Sequence, residues 1–176
     1  MTTEQLAHTE AELYSTVIEF YQKEQTDELN ERIKAVFASN KQVHKNYSDI
    51  AKEDDEALKR GLFIQWYACT EPSYLTGIGE LDEEAEQNII DLIEKKIQNN
   101  SLDTEIKWML NYYATWDFVF DRFKNRKGLA GLIANKTDEL PFGLVIDKVA
   151  MNKRGRMGTY WNSLNHFTNT ETNASS

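Results

Sequence analysis

The sequence predicts an all-α protein, a single-domain helical bundle of about six to eight helices built around an aromatic-rich one. Three observations carry this. Apolar residues recur at intervals of three and four along most of the chain. Only two prolines interrupt 176 residues, so long helices can run unbroken. Several of the apolar-periodic runs are preceded by a Ser, Thr or Asp placed to cap a helix. A chain of this length can bury roughly 70% of the surface its unfolded form exposes. Residues 1–167 are expected to form the domain, and 168–176, rich in Thr, Asn and Ser, a disordered tail.

The first helix is expected over about 4–24, with Leu6, Leu13, Val17, Phe20 and Tyr21 on one side and His8, Glu12 and Glu19 on the other. Glu4 and His8 are four apart and could share a metal ion, but no second such pair occurs, which favours a solvated surface. Thr26 is placed to cap the second helix, with Asp27 and Glu28 in its first turn. Ser39 is placed to start a short third one carrying Val43, Tyr47, Ile50 and Ala51. Two short helices in succession suggest a helix-turn-helix reader, but Asp49, Glu53, Asp54 and Asp55 would face phosphates unfavourably.

From Asp54 or Asp55 a longer helix should reach Thr70 and stop, because Pro72 disfavours the helical conformation at Glu71. In its second half Leu62, Phe63, Ile64, Trp66, Tyr67, Ala68 and Cys69 cover almost every direction, the pattern of a helix surrounded by others. Gln65 then needs buried partners. The connection from Glu71 to Leu81 holds Tyr74 and Leu75, large residues for a tether, and is expected to fold back and line a site.

Asp82 is placed to cap the next helix, with Glu83, Glu84 and Glu86 first and Lys95 and Lys96 last, both complementing the helix dipole. Ala85, Ile89, Leu92, Ile93 and Ile97 form one stripe, and the short Asn99-Asn100-Ser101-Leu102 link predicts an antiparallel partner. That partner would be an aromatic helix, capped by Asp103 or Ser101 and running to Phe123. Trp108, Tyr112, Tyr113, Trp116, Phe118, Phe120 and Phe123 lie along it. At about 100° per residue its apolar positions span roughly 200°, too wide for one neighbour, and Asp117 falls inside that arc. A buried carboxylate is expected there, and it must be paired, hydrogen-bonded or protonated. Further on, 128–134 reads as a short apolar helix. Thr137 or Asp138 could cap another through Val145, Ile146, Val149 and Ala150, with Pro141 near its start. Lys153-Arg154-Gly155-Arg156, with Gly158, Tyr160 and Trp161 soon after, could hold a phosphate or a nucleic-acid base, and fits equally well a loop whose arginines pair with the acidic body.

Function is less legible than fold. The net charge of −9 is unevenly spread: residues 1–121 hold 11 Lys and Arg against 25 Asp and Glu. Residues 122–160 reverse this, with nine bases (Arg122, Lys124, Arg126, Lys127, Lys136, Lys148, Lys153, Arg154, Arg156) against Asp138, Glu139 and Asp147. Docking of the basic segment on the acidic body is favoured over nucleic-acid or phosphate binding through 122–160, because the net charge repels nucleic acid. One cysteine and no basic leader with an apolar core point to the cytoplasm, and no apolar run is long enough for a membrane span. Zinc-finger, His-Glu-x-x-His, Glu-x-x-His and Gly-x-Ser-x-Gly patterns are all missing, so no metal site and no cofactor is expected.

The leading expectation is a non-catalytic binding protein that contacts a partner protein or small ligand through Trp66, Tyr67, Tyr74, Trp108, Tyr112 and Trp116. Arg154 and Arg156 are anion-binding candidates. The alternative is a small metal-free enzyme with Asp117 or Glu71 as general acid or base. A homo-oligomer is compatible with the wide apolar arc of the aromatic helix.

Overall fold

The structure is a computed structural model that describes residues 1–20, 22–135 and 148–168. The described residues hold α-helices and no strand, in the order α1 (Thr3–Phe20), α2 (Asp27–Ile50), α3 (Asp55–Thr70), the single turn α4 (Ser73–Thr76), α5 (Glu83–Gln98), α6 (Thr104–Tyr113), α7 (Lys127–Ala134), the single turn α8 (Lys148–Met151) and α9 (Gly155–Thr168). None of them is long and apolar enough to cross a membrane. The expected helix from Thr137 or Asp138 through Val145 and Ile146 lies outside the described residues as far as 147, and of the expected tail 168–176 only Thr168, the last residue of α9, is described.

Four helices begin where a short polar side chain can cap them. Thr26 accepts from the Leu29 N–H, Asp54 from Glu56 and Ala57, Asp82 from Ala85, and Asp103 from Ile106. α3 ends at Thr70 with Glu71 extended, as a following proline requires. Beyond it α4 and the 77–78 backbone fold into the body, burying Thr76, Gly77 and Ile78.

α2 is one continuous helix, not two. Ser39 starts nothing, because Val36, Asn40, Val43 and Tyr47 keep one buried face at intervals of three and four straight through it. Asn40 is accommodated on that face by donating to the carbonyls of Val36 and Gly77.

α1 lies along α2, and α2 packs on α3 and α5. The second half of α3 is enclosed, with Leu62, Phe63, Ile64, Gln65 and Trp66 all buried; the Gln65 amide donates to the Glu86 carbonyl. α5 faces α2, α3 and α7, and the four-residue link does not make it a close antiparallel neighbour of α6. The reason is Asn100, the only described non-glycine residue with positive φ. Its N–H bonds the Ile97 carbonyl and that of Ser101 bonds Lys96, a Schellman stop that redirects the chain away from α5.

The aromatic helix is shorter than expected. α6 ends at Tyr113, where the Thr115 hydroxyl takes the Tyr112 carbonyl at 2.7 Å, and the chain continues in successive i to i+3 turns to a 3-10 turn at Asp121–Phe123. Threonine and bulky aromatics are weak helix formers, and a side chain that bonds the backbone competes with the helix for it. Within its ten residues Ile106, Met109, Leu110 and Tyr113 are all buried, and packing against the rest of the core leaves only its polar edge outside.

Candidate functional site

Trp66 of α3 is the hub of the aromatic cluster. Tyr113 stacks on it at 4.6 Å and 9°, while Tyr160 (5.0 Å), Trp116 (5.2 Å) and Tyr112 (5.8 Å) meet it at steep angles. Trp161 of α9 closes the far side, 4.2 Å from Trp108. Five of the six aromatic residues singled out in the sequence (Trp66, Tyr67, Trp108, Tyr112, Trp116) therefore come together. Tyr74 does not: it is 66% exposed and lines a separate apolar groove of about 330 Å3 with Val17, Phe20, Ile33 and Phe37.

The cluster is core at Trp66, Tyr113 and Trp161 and partly exposed at Tyr67, Trp108, Tyr112, Trp116 and Tyr160, of which Tyr67 and Tyr160 line a groove. The Tyr160 hydroxyl shares a 2.7 Å hydrogen bond with that of Tyr112, and burial together with this bond pushes its pKa up. Both phenols stay protonated at neutral pH.

Tyr67 and Tyr160 form one wall of a groove of about 620 Å3 between α1 and α9, faced across it by Ala7, Ala11 and Ser15. Arg156, in the first turn of α9, lies in the floor and is only 7% exposed. Its Nη1 donates to the Thr76 carbonyl at 2.5 Å, and the Tyr14 ring lies across its guanidinium at 5.1 Å. Its Nε and Nη2 have no hydrogen-bond partner among the described residues. Burial lowers the Arg156 pKa, which the negative charge of Glu10 partly offsets.

Glu10 lies beneath the groove, fully enclosed between α1, α2 and α9. It accepts from the Tyr47 hydroxyl and, at 3.3 Å, from the Arg156 backbone N–H. Burial pushes its carboxyl up, against the opposing pull of Tyr47 and Arg156. Gly155, at φ 60°, lets α9 start here: a Cβ would sit 3.0 Å from Glu10 Oε1.

α7 begins in the same manner. Glu94 of α5 accepts the N–H groups of Gly128 and Leu129, both at 2.8 Å, and a Cβ on Gly128 would lie 2.8 Å from Glu94 Oε2. Neither helix has a capping side chain next to it in sequence, and each receives a carboxylate from the acidic body at the positive end of its dipole. The arginines around them are engaged likewise. Arg154 bonds both Glu56 oxygens (2.7 and 2.5 Å) and Glu105 (2.5 Å), Arg122 bonds Glu86, and Arg126 bonds Asp91. Arg154 is thereby committed to internal partners; Arg156 alone of the anion-binding candidates keeps unused donors.

Asp117 is a correction. Because α6 stops at Tyr113, the 100° count no longer holds at position 117, and the residue is exposed rather than buried in the apolar arc. Glu71 is half-buried at the end of α3, its N–H bonded to the Tyr67 carbonyl. His8 lies within 3.3 Å of Glu12 on the exposed surface. Among the described residues no group of three or more His, Cys, Asp or Glu could hold a metal ion.

Two residues that shape the groove went unread in the sequence: Glu10 and Tyr14. For Glu10 a signal existed, since Leu6, Glu10, Leu13 and Val17 share one face at intervals of four, three and four. Compared with protein-family models, curated proteins and solved structures, the chain matches none.

Proposed function

We propose that this is a non-catalytic cytoplasmic binding protein that holds a small molecule in the groove between α1 and α9. The observation that carries the reading is the meeting of three features in one concavity: an aromatic wall from Tyr67 and Tyr160, a ring of small polar side chains including Ser15, Thr159 and Ser163, and a buried arginine with unused donors. Apolar walls with a few placed polar groups, in a volume of several hundred Å3, are what small-molecule sites present. The remaining aromatic residues support the wall from behind, which keeps Tyr67 and Tyr160 rigid and reduces the entropy lost on binding.

Ala11→Trp tests this reading, because Ala11 is exposed on α1 and a tryptophan there fills the groove without entering the core. Freshly purified protein should carry a small-molecule adduct in native mass spectrometry, and the variant should have lost it at unchanged melting temperature. An adduct retained by Ala11→Trp, or a bare protein whose melting no library compound raises, would overturn it.

A further inference from the structure

The chemistry beneath the groove narrows what would bind there. Arg156 holds a full positive charge at 7% exposure, yet of its guanidinium nitrogens only Nη1 is hydrogen-bonded among the described residues, so the Nε/Nη2 edge is buried without an acceptor, with the Glu10 charge and the Tyr14 ring as its compensation. Leaving two charged donors unmade is costly in a folded protein. The edge is the pair of parallel N–H groups that a carboxylate meets in bidentate fashion. Tyr14 of α1, whose ring faces the guanidinium at 5.1 Å, lines the groove and is more than a third exposed, so its ring can turn outward without disturbing the core.

Charge around the groove favours a single negative charge over two. Lys153 and Arg156 are the cations lining it, Glu4 is on its rim, and Glu10 lies behind Arg156. The two glutamates balance the two cations, so every negative charge on a ligand meets repulsion, and the one unused edge of Arg156 can offset it for a single carboxylate. The wall of Tyr67 and Tyr160 favours a flat ring attached to that charge.

On the premise that the groove is the ligand site, we propose that its ligand is a planar organic monocarboxylate whose carboxylate takes the Nε/Nη2 edge of Arg156 and displaces the ring of Tyr14. Tyr14 is then a cover, holding the arginine edge in the empty protein through a cation–π contact and yielding to a charged hydrogen-bonding group.

Benzoate and its uncharged isostere benzamide separate the inference from its premise, with amide chemical shifts followed by heteronuclear NMR in wild type, Tyr14→Ala and Arg156→Lys. Benzoate should shift residues of α1 and α9 saturably and bind on the order of tenfold tighter than benzamide, the worth of a charge-assisted pair. Tyr14→Ala should widen that preference, since no ring has to be displaced, and Arg156→Lys should abolish it, since an ammonium lacks the paired edge. Should Arg156→Lys fail to fold, the exposed Tyr14 variant still decides. Equal binding of the two probes at α1 and α9, or a preference that neither variant alters, overturns the carboxylate assignment and leaves the groove standing. No shift at α1 or α9 with either probe removes the groove itself.

Discussion

Removing the Glu94 side chain tests whether the acidic body starts the helices of the basic segment. In Glu94→Ala the N–H groups of Gly128 and Leu129 lose acceptors at 2.8 Å; that of Gly128 is part-buried, and that of Leu129, a residue 1% exposed, lies where water cannot replace the lost bond. An unsatisfied buried donor costs about 1–3 kcal/mol, and a lost cap about 0.5–2. A total near 3 kcal/mol is expected, read as the shift of the urea-unfolding midpoint at constant m.

The sharper measurement is a double-mutant cycle with Gly128→Ala. In the wild-type background the added Cβ would lie 2.8 Å from Glu94 Oε2 and 3.0 Å from Ile97 Cγ2, so the carboxylate must leave its two donors and the substitution destabilises. In the Glu94→Ala background the carboxylate is gone. Only the Ile97 contact opposes alanine's helical advantage of about 1 kcal/mol over glycine, so the cost should fall to zero or reverse. Equal costs for Gly128→Ala in both backgrounds, to within about 0.5 kcal/mol, would refute the capping argument. The same carboxylate should make the protein acid-sensitive. Burial raises its pKa, but the two backbone N–H bonds and Gln98 prevail and hold it below its ordinary 4.5. Its contribution is therefore present above that value and lost as pH falls through the lower, folded one.

Two further outcomes are expected. His44 is fully buried, neither ring nitrogen has a partner, and burial with the nearby Arg122 charge outweighs Asp82 to lower its pKa from 6.5 to about 4. The unfolded chain then binds the proton more readily, so stability should fall as pH drops from 6.5 towards 4, by up to about 3 kcal/mol at roughly 1.4 kcal/mol per unit. His44→Phe should flatten that limb of the urea-midpoint profile, and an unchanged slope would count against it. Arg154→Met removes three bonds to Glu56 and Glu105, although Arg60 and Lys59 remain on those carboxylates. About 2–3 kcal/mol should be lost, less than for a fully abandoned buried charge, with the α9 amides exchanging first. Uniform exchange across the helices would instead place Arg154 outside the docking of α9.

What the sequence made legible was local. Thr26, Asp82 and Asp103 cap helices because their own side chains reach N–H groups three residues on, and Pro72 ends α3 through its immediate neighbour. Errors came where a local signal was outvoted or extrapolated. Ser39 has a cap's chemistry, yet the face through Val36, Asn40, Val43 and Tyr47 carried the helix past it. Asp117 was placed by a helical count continued beyond the last helical residue, Tyr113. The candidate site was half legible: Tyr67 and Arg156 were singled out, but Glu10 acts on an N–H 146 residues away and Glu94 on donors 34 and 35 away, distances no spacing rule spans. The readable trace is a basic residue followed by glycine at a helix start, as in Lys127-Gly128 and Arg154-Gly155.

The junction of α1 with the start of α9 also sets an order of events during synthesis. Glu10 leaves the ribosome well before its partner, because the backbone donor that completes its surroundings is made 146 positions later. Until then the α1–α2 pair carries a carboxylate on its inward face with only Tyr47 to bond it. At typical synthesis rates of 5–20 residues per second, that interval lasts on the order of ten seconds. The growing chain can form α1 and α2 in that time, but the surroundings of Glu10 close only once α9 has emerged to cover what α1 exposes.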